Sequence, residues 1–282
     1  MHITPEIRAK LNKTVDAHKY DHGHALVLSG GVGKGGAARL AARGALRIGA
    51  GAVTVGCPPA ALQENATRLD AVMCAKIDGP DGLRATLSDE RINAVCIGPG
   101  LGLSRAKHFV PIVLAANRGT VLDADALSAF ADDPDALLDI LHKDCVLTPH
   151  QGEFKRLFPD IASRLSNTGS YSKADAARDA AERAGCVVLL KGAETVVAAP
   201  GDAVHINQAL GDRAAPWLAT AGSGDVLAGF VTGLLARGFG AKNAAEIAAW
   251  LHQECAIKFG PGLIAEDLPE TLPKVFRDLG VT

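Results

Sequence analysis

The segment Ala219-Thr220-Ala221-Gly222-Ser223-Gly224-Asp225 sets a carboxylate directly behind a run of small residues and directly before the helix-like stretch VLAGFVTGLLARG. Small residues let successive backbone N–H groups converge on a helix N-terminus, which attracts phosphate through hydrogen bonds and the helix dipole. A carboxylate facing bound phosphate is electrostatically unfavourable unless it serves the reaction. The natural service is to accept a proton from an attacking hydroxyl, which would make Asp225 a general base. Capping the helix is the plainer reading of the same residue.

Further clusters close other apolar runs. Lys191-Gly192-Ala193-Glu194-Thr195 follows CVVLL, and a lysine ending a buried strand is either a point-charge partner for phosphate or a solvated turn residue. Asp123-Ala124-Asp125 closes TVL, where paired carboxylates could hold magnesium or orient a helix, with Asp125 read as an N-cap. In Thr148-Pro149-His150-Gln151-Gly152-Glu153, after CVL, Thr148 or His150 could cap the next helix with Glu153 completing the cap. His150 could instead hydrogen-bond a polar substrate. Gly98-Pro99-Gly100-Leu101-Gly102, after AVCI, is either an ordinary turn or a close approach of backbone to a ligand.

The first glycine cluster, Gly30 to Gly36, contains the register Gly31, Gly33, Gly36 of a dinucleotide-binding turn, yet the following strand, AVTVGCPPA, offers no acid for a ribose. It is not a Walker A loop either, because Gly35 stands where Ser or Thr should be and Leu28 where the first Gly should be. A steric role, close packing of helix on sheet, is the remaining reading.

The elements that carry these clusters are short apolar runs at 25–28, 52–55, 94–97, 120–122, 145–147 and 186–190, separated by Ala- and Leu-rich helix-like stretches at 37–48, 104–117 and 172–184. Runs that are apolar without alternation are buried on both faces, and their alternation with helices predicts a mainly parallel sheet in a three-layer α/β/α sandwich. TVVAA and AVHIN, joined by Pro200, Gly201 and Asp202, predict an antiparallel edge hairpin. A helical region over 224–258 is broken near Gly238 to Lys242. No linker or repeat divides the chain, so residues 1–282 are read as one domain with 1–22 as an N-terminal extension.

Composition narrows the partners. A net charge of -2 and 4% aromatic residues disfavour a nucleic acid polymer, while 48% hydrophobic residues are enough for a large core. The 6 cysteines are scattered, without CxxC, and read as buried hydrophobes in a reducing compartment; no dedicated metal site is expected. The N-terminus lacks a signal-peptide core and no stretch is apolar enough to span a membrane, so a cytoplasmic location is expected.

At the GSGD segment the chain resembles the ribokinase-like superfamily, whose small-molecule kinases carry a GxGD box with a catalytic Asp. Four further blocks, GHALVLSGGVGKGGAARLAARGALRIGAGAVTV, CIGPGLG, LTPHQGEF and LLKGAETVV, precede ATAGSGDVLAG in this order. Together they are similar to the ADP/ATP-dependent NAD(P)H-hydrate dehydratases, over about His24 to Ala256.

The resemblance implies a reaction that is half kinase and half lyase: the terminal phosphoryl group of ADP or ATP, with Mg2+, goes to the 6-hydroxyl of hydrated NADH or NADPH, and phosphate then leaves. It implies Asp225 as catalytic base and Gly222, Ser223 and Gly224 as the anion hole. Lys191, Gly192, Ala193, Glu194, Thr195 and Gly224 match nucleotide-binding positions, and Ala37, Gly102, His150 and Asp225 match positions contacting the hydrated dinucleotide. It further implies a homo-oligomer, with a tetramer favoured, and an NAD(P)H-hydrate epimerase acting as a separate chain. The glycine turn GGVGKGGAA departs from the family, which commonly has a Ser and a Met-Pro pair there. A vitamin-precursor kinase of the hydroxyethylthiazole or hydroxymethylpyrimidine type, which would make a stable phosphorylated product, and a non-catalytic nucleotide sensor are the alternatives.

Overall fold

The six apolar runs all become strands in the structure, a computed structural model that describes residues 3–167, 169–209 and 211–282. They are β1 (His24–Leu28), β2 (Ala52–Cys57), β4 (Ile92–Ile97), β5 (Gly119–Leu122), β6 (Cys145–Leu147) and β7 (Val187–Leu190). Adding β3 (Met73–Lys76) and the hairpin β8 (Glu194–Ala198) and β9 (His205–Gln208) gives a 9-stranded sheet in the order β3-β2-β1-β4-β5-β6-β7-β8-β9. Strands β1 to β7 pair in parallel, and β8 and β9 are added antiparallel, as the Pro200-Gly201-Asp202 turn predicted.

The absence of alternation has its expected cause. Ala25 and Val27 of β1 enter one hydrophobic core, and Leu26 and Leu28 enter a second on the other face. Ala94 and Cys96 of β4 likewise face the first, Val95 and Ile97 the second. Each central strand therefore needs apolar residues at every position. All 6 cysteines are free, and five of them are buried.

The helix Ser223–Ala236, buried at every residue from Val226 onward, lies in the first core against the helix Gly36–Arg47. Glycines let the two backbones meet: a Cβ at Gly229 would come within 2.1 Å of the Ala41 carbonyl oxygen. After the break at Gly238 the chain resumes in the helix Ala241–Phe259. The N-terminal extension is also structured. Its helix Pro5–Leu11 inserts Leu11 into the core, and Arg237 donates to the carbonyls of Lys10, Leu11 and Asn12.

Strand order reverses between β1 and β4, since the chain builds outward to β2 and β3 on one side and from β4 to β9 on the other. A crevice at the carboxyl ends of the strands is the usual ligand site at such a switch point. Here the two glycine turns touch: a Cβ at Gly30 would lie 2.0 Å from the Gly100 carbonyl oxygen, and one at Gly100 would lie 3.4 Å from the Ala37 Cβ.

Candidate active site

The loop before Asp225 ends at Gly222, whose φ of 90° makes it the N-cap of the helix Ser223–Ala236 without any side-chain cap. Asp225 is the third residue of that helix, so the capping reading is corrected: the backbone turn at a left-handed glycine starts the helix, and the carboxylate is left for other use. The N–H groups of Gly224 and Asp225 belong to the first turn and have no intrahelical acceptor, which keeps them available to an anion. Ser223 donates its hydroxyl to the Leu218 carbonyl at 2.7 Å and its N–H to the Thr220 carbonyl at 3.4 Å, so both of its donors are engaged within the loop.

Asp225 is half-buried, and nothing hydrogen-bonds its carboxylate among the described residues. Burial, with the negative charges of Asp123 and Asp125 and against the attraction of Lys191, pushes its pKa up to about 6. An acid poised there is ionised at neutral pH yet basic enough to take a proton.

Lys191 is not the solvated turn residue that spacing alone allowed. Its Nζ lies 2.7 Å from Asp123 Oδ1, with the aspartate side chain 2% exposed. Burial works to lower the lysine pKa, but the Asp123 charge and hydrogen bond, with Glu153 and Asp225, more than offset it and the net shift is upward. Asp123 Oδ1 also accepts from Thr148 Oγ1 at 2.8 Å. A Cβ at Gly224 would stand 3.5 Å from Lys191 Nζ, so the ammonium rests against the GSGD turn.

Asp125 is corrected too. The N-cap of its short helix Asp125–Ser128 is Ala124, at φ 46° and ψ -113°, a sparsely populated conformation for a residue with a Cβ. That turn sends the Asp125 carboxylate across to the Gly102 N–H, which it accepts at 2.8 Å. The capping box in the next block is present as read, with His150 rather than Thr148 in the capping position. His150 Nδ1 accepts from Gly152 and Glu153 N–H, and Glu153 accepts from the His150 N–H. The His150 side chain is exposed, with Nε2 3.4 Å from Glu153 Oε1.

A cavity of about 440 Å³ opens beside the GSGD turn, and Lys191, Gly192, Ala193, Thr195, Ser223 and Gly224 all line it. Glu194 does not line it; it accepts a hydrogen bond from Gln208 at 3.2 Å. Ala37, Gly102 and His150 come instead from the ends of the neighbouring crossovers, around the β1/β4 crevice and the start of the helix Gln151–Leu157. Asp225 feels the charges of Asp123, Lys191 and Asp125 from the neighbouring strand ends.

Two contributors were not foreseen. Asp123 was read, paired with Asp125, as a carboxylate that could hold magnesium or orient a helix, and it proves to be the anchor of Lys191. His252 lines the cavity and its Nε2 lies 2.8 Å from the Ser223 carbonyl, so Nε2 carries the proton. Burial holds its pKa down to about 4 and the ring neutral. No local pattern around His252 could have announced this contact with a residue in another helix.

Comparison with known proteins shows the family of the chain. The family model described as NAD(P)H-hydrate dehydratase matches residues 25–274. The chain is 34% identical over 259 residues to the bifunctional NAD(P)H-hydrate repair enzyme Nnr of Coxiella burnetii, covering 90% of this chain and 50% of that one. It is 38% identical over 246 residues to the Nnr of Gloeobacter violaceus, covering 86% and 46%. It thus spans about half the length of these curated relatives. Among solved structures, the ADP/ATP-dependent NAD(P)H-hydrate dehydratase of Bacillus subtilis, co-crystallised with ATP and Mg2+, superposes with a TM-score of 0.76 at 29% identity, covering 98% of this chain and 97% of that one. A ribokinase-like superfamily protein of Enterococcus faecalis superposes at 0.80 with 22% identity over 96% and 94%, a likeness of fold.

Proposed function

Because the chain belongs to the NAD(P)H-hydrate dehydratase family, we propose that it restores NADH and NADPH from the S-epimer of their hydrates at the expense of a nucleotide, ADP in preference to ATP. The observation that carries this reading is the unpaired, half-buried Asp225 carboxylate, on the turn that also borders the Lys191 cavity. The nucleotide occupies that cavity, its phosphates reaching Lys191 and the N–H groups of Gly224 and Asp225, with Gly222 to Gly224 forming the anion hole. The hydrated ring approaches from the turns carrying Ala37, Gly102 and His150.

Asp225 accepts the proton of the 6-hydroxyl as that oxygen bonds to the terminal phosphorus and the bond from phosphorus to the nucleotide breaks. Hydroxide is a poor leaving group and phosphate a good one, so the C–O bond then breaks. Loss of a proton from the adjacent ring carbon restores the double bond.

Mg2+ arrives on the nucleotide phosphates. Among the described residues no group of three or more His, Cys, Asp or Glu side chains is placed to hold a metal, which suits an ion that keeps phosphate and water as most of its ligands. Residues 1–282 act as one unit in this reading, in the cytoplasm, and an NAD(P)H-hydrate epimerase supplies the S-epimer. No helix among the described residues is long and apolar enough to cross a membrane. We also propose a homo-oligomer, a tetramer by preference. Exposed Trp217, Ile257, Phe259 and Ile264 support it, because apolar surface of this kind is commonly covered by a second copy.

The test is incubation with hydrated NADH and each nucleotide in turn, following recovery of reduced-nicotinamide absorbance together with release of inorganic phosphate. Both signals rising together are expected. A stable phosphorylated product without recovered absorbance would contradict the reading.

A further inference from the structure

Two carboxylates compete for one ammonium at the centre of the site. Lys191 Nζ is bonded to Asp123 Oδ1 at 2.7 Å, yet it rests against Gly224 and its charge is felt by Asp225, the next residue. Asp123 prevails because it is fixed and buried. Its N–H donates to the Ile97 carbonyl at 3.1 Å, and its own carbonyl is confined by Gly98, where a Cβ would come within 1.7 Å. The oxygen that holds Lys191 also takes the Thr148 hydroxyl, so one carboxylate oxygen ties together the ends of β5, β6 and β7.

We propose that Asp123 is a positioning residue that holds Lys191 against the phosphate turn and away from Asp225, leaving Asp225 an unpaired base. This rests on the reading of Asp225 as the proton acceptor. Without the Asp123 charge, the carboxylates whose charges Lys191 still feels are Glu153, which is committed to the His150 N–H, and Asp225, whose lone pairs are unclaimed. An ammonium bonded to the base would occupy its lone pairs and make it a weaker proton acceptor.

The other groups facing this centre do not replace Asp123. Asp125, in the helix Asp125–Ser128, is committed to Gly102, and Glu153, in the helix Gln151–Leu157, to the His150 N–H. His252, from the helix Ala241–Phe259, is neutral, and the Cys96 thiol of β4, near both Asp123 and Asp225, is pushed well up by burial and stays protonated.

The decisive experiment compares Asp123→Asn with Lys191→Met in the full chain. The acid limb of kcat/KM for hydrated NADH with ADP is followed, and the Asp225 carboxyl is titrated by 13C NMR in the nucleotide-free protein. The carboxamide keeps the shape and an acceptor for Thr148 but loses the charge. Asp123→Asn should move both the limb and the carboxyl titration down, by about one pH unit, a tenfold loss of proton affinity. Lys191→Met should move both up, because Asp225 then faces carboxylates without a cation. Loss of the Asp123 charge lowers the Asp225 titration by itself, so the drop is also measured in the Lys191→Met background, where no ammonium can turn to Asp225: a smaller drop there is expected, and an equal drop overturns the proposal. An unmoved or upward-moving Asp225 titration in folded Asp123→Asn overturns the proposal. If that variant does not fold, Asp123→Ser is titrated in its place, in both backgrounds and with the same outcomes. Shifts of opposite sign in a parent protein that does not dehydrate hydrated NADH would retain the positioning role and reject the dehydratase reading.

Discussion

Asp123 and Lys191 lie 68 residues apart in the chain and meet at 2.7 Å across the end of strand β6. A lysine so held is both charged and aimed. Replacing it by Met should weaken ADP binding about ten- to a hundredfold, the value of one charge-assisted hydrogen bond of roughly 1.5–3 kcal/mol. The same change leaves Asp123 buried without its cation and should cost about 3–5 kcal/mol of stability at neutral pH. Isothermal titration with ADP and denaturant unfolding measure the two effects. Unchanged ADP affinity would return Lys191 to a structural role.

The raised pKa of Asp225 has consequences of opposite sign for activity and stability. As a base Asp225 must be ionised, so kcat/KM should fall tenfold per pH unit below about 6. The folded protein binds this proton more tightly than the unfolded chain, whose value is near 3.8. Stability from this group is therefore complete below the unfolded value and is lost as pH rises through about 6, above which the cost is constant. A rate profile and an unfolding series between pH 4 and pH 8 check both signs.

The two glycine turns touch at the β1/β4 crevice, in the part of the site proposed to take the hydrate. A methyl group at position 30 would meet the Gly100 carbonyl oxygen at 2.0 Å, and backbone cannot yield cheaply. Gly30→Ala should displace the turns that carry Ala37 and Gly102 and raise the KM for hydrated NADH by about tenfold, with ADP affinity within about twofold of the parent. Equal losses for both ligands would mean that the crevice is not a separate subsite.

What the sequence revealed and withheld follows from the range of each interaction. The buried strands were legible because both faces are apolar, and the hairpin because Pro200-Gly201-Asp202 is a local signal. Strand β3 was missed: at the sheet edge Met73 and Lys76 are exposed, and nothing in MCAK marks a two-sided burial. The His150 capping box was readable from three-residue spacing. Asp125 was misread as a cap because the positive φ of Ala124 has no signature in an alanine. The anchoring of Lys191 by Asp123, and of the Ser223 carbonyl by His252, depends on strands and helices far apart in the chain meeting at one sheet edge.

The central claim is that Asp225 removes the proton from the substrate hydroxyl, and Asp225→Asn tests it most directly. The helix start does not depend on this side chain, because Gly222 supplies the cap, so the variant should fold. It should gain about 1–2 kcal/mol at neutral pH by losing a carboxylate that is costly to ionise. ADP affinity should hold or improve with one negative charge fewer beside the phosphates. NADH recovery from the hydrate should slow by about 10² to 10⁴. A folded, ADP-binding variant whose turnover stays within about tenfold of the parent would contradict the account.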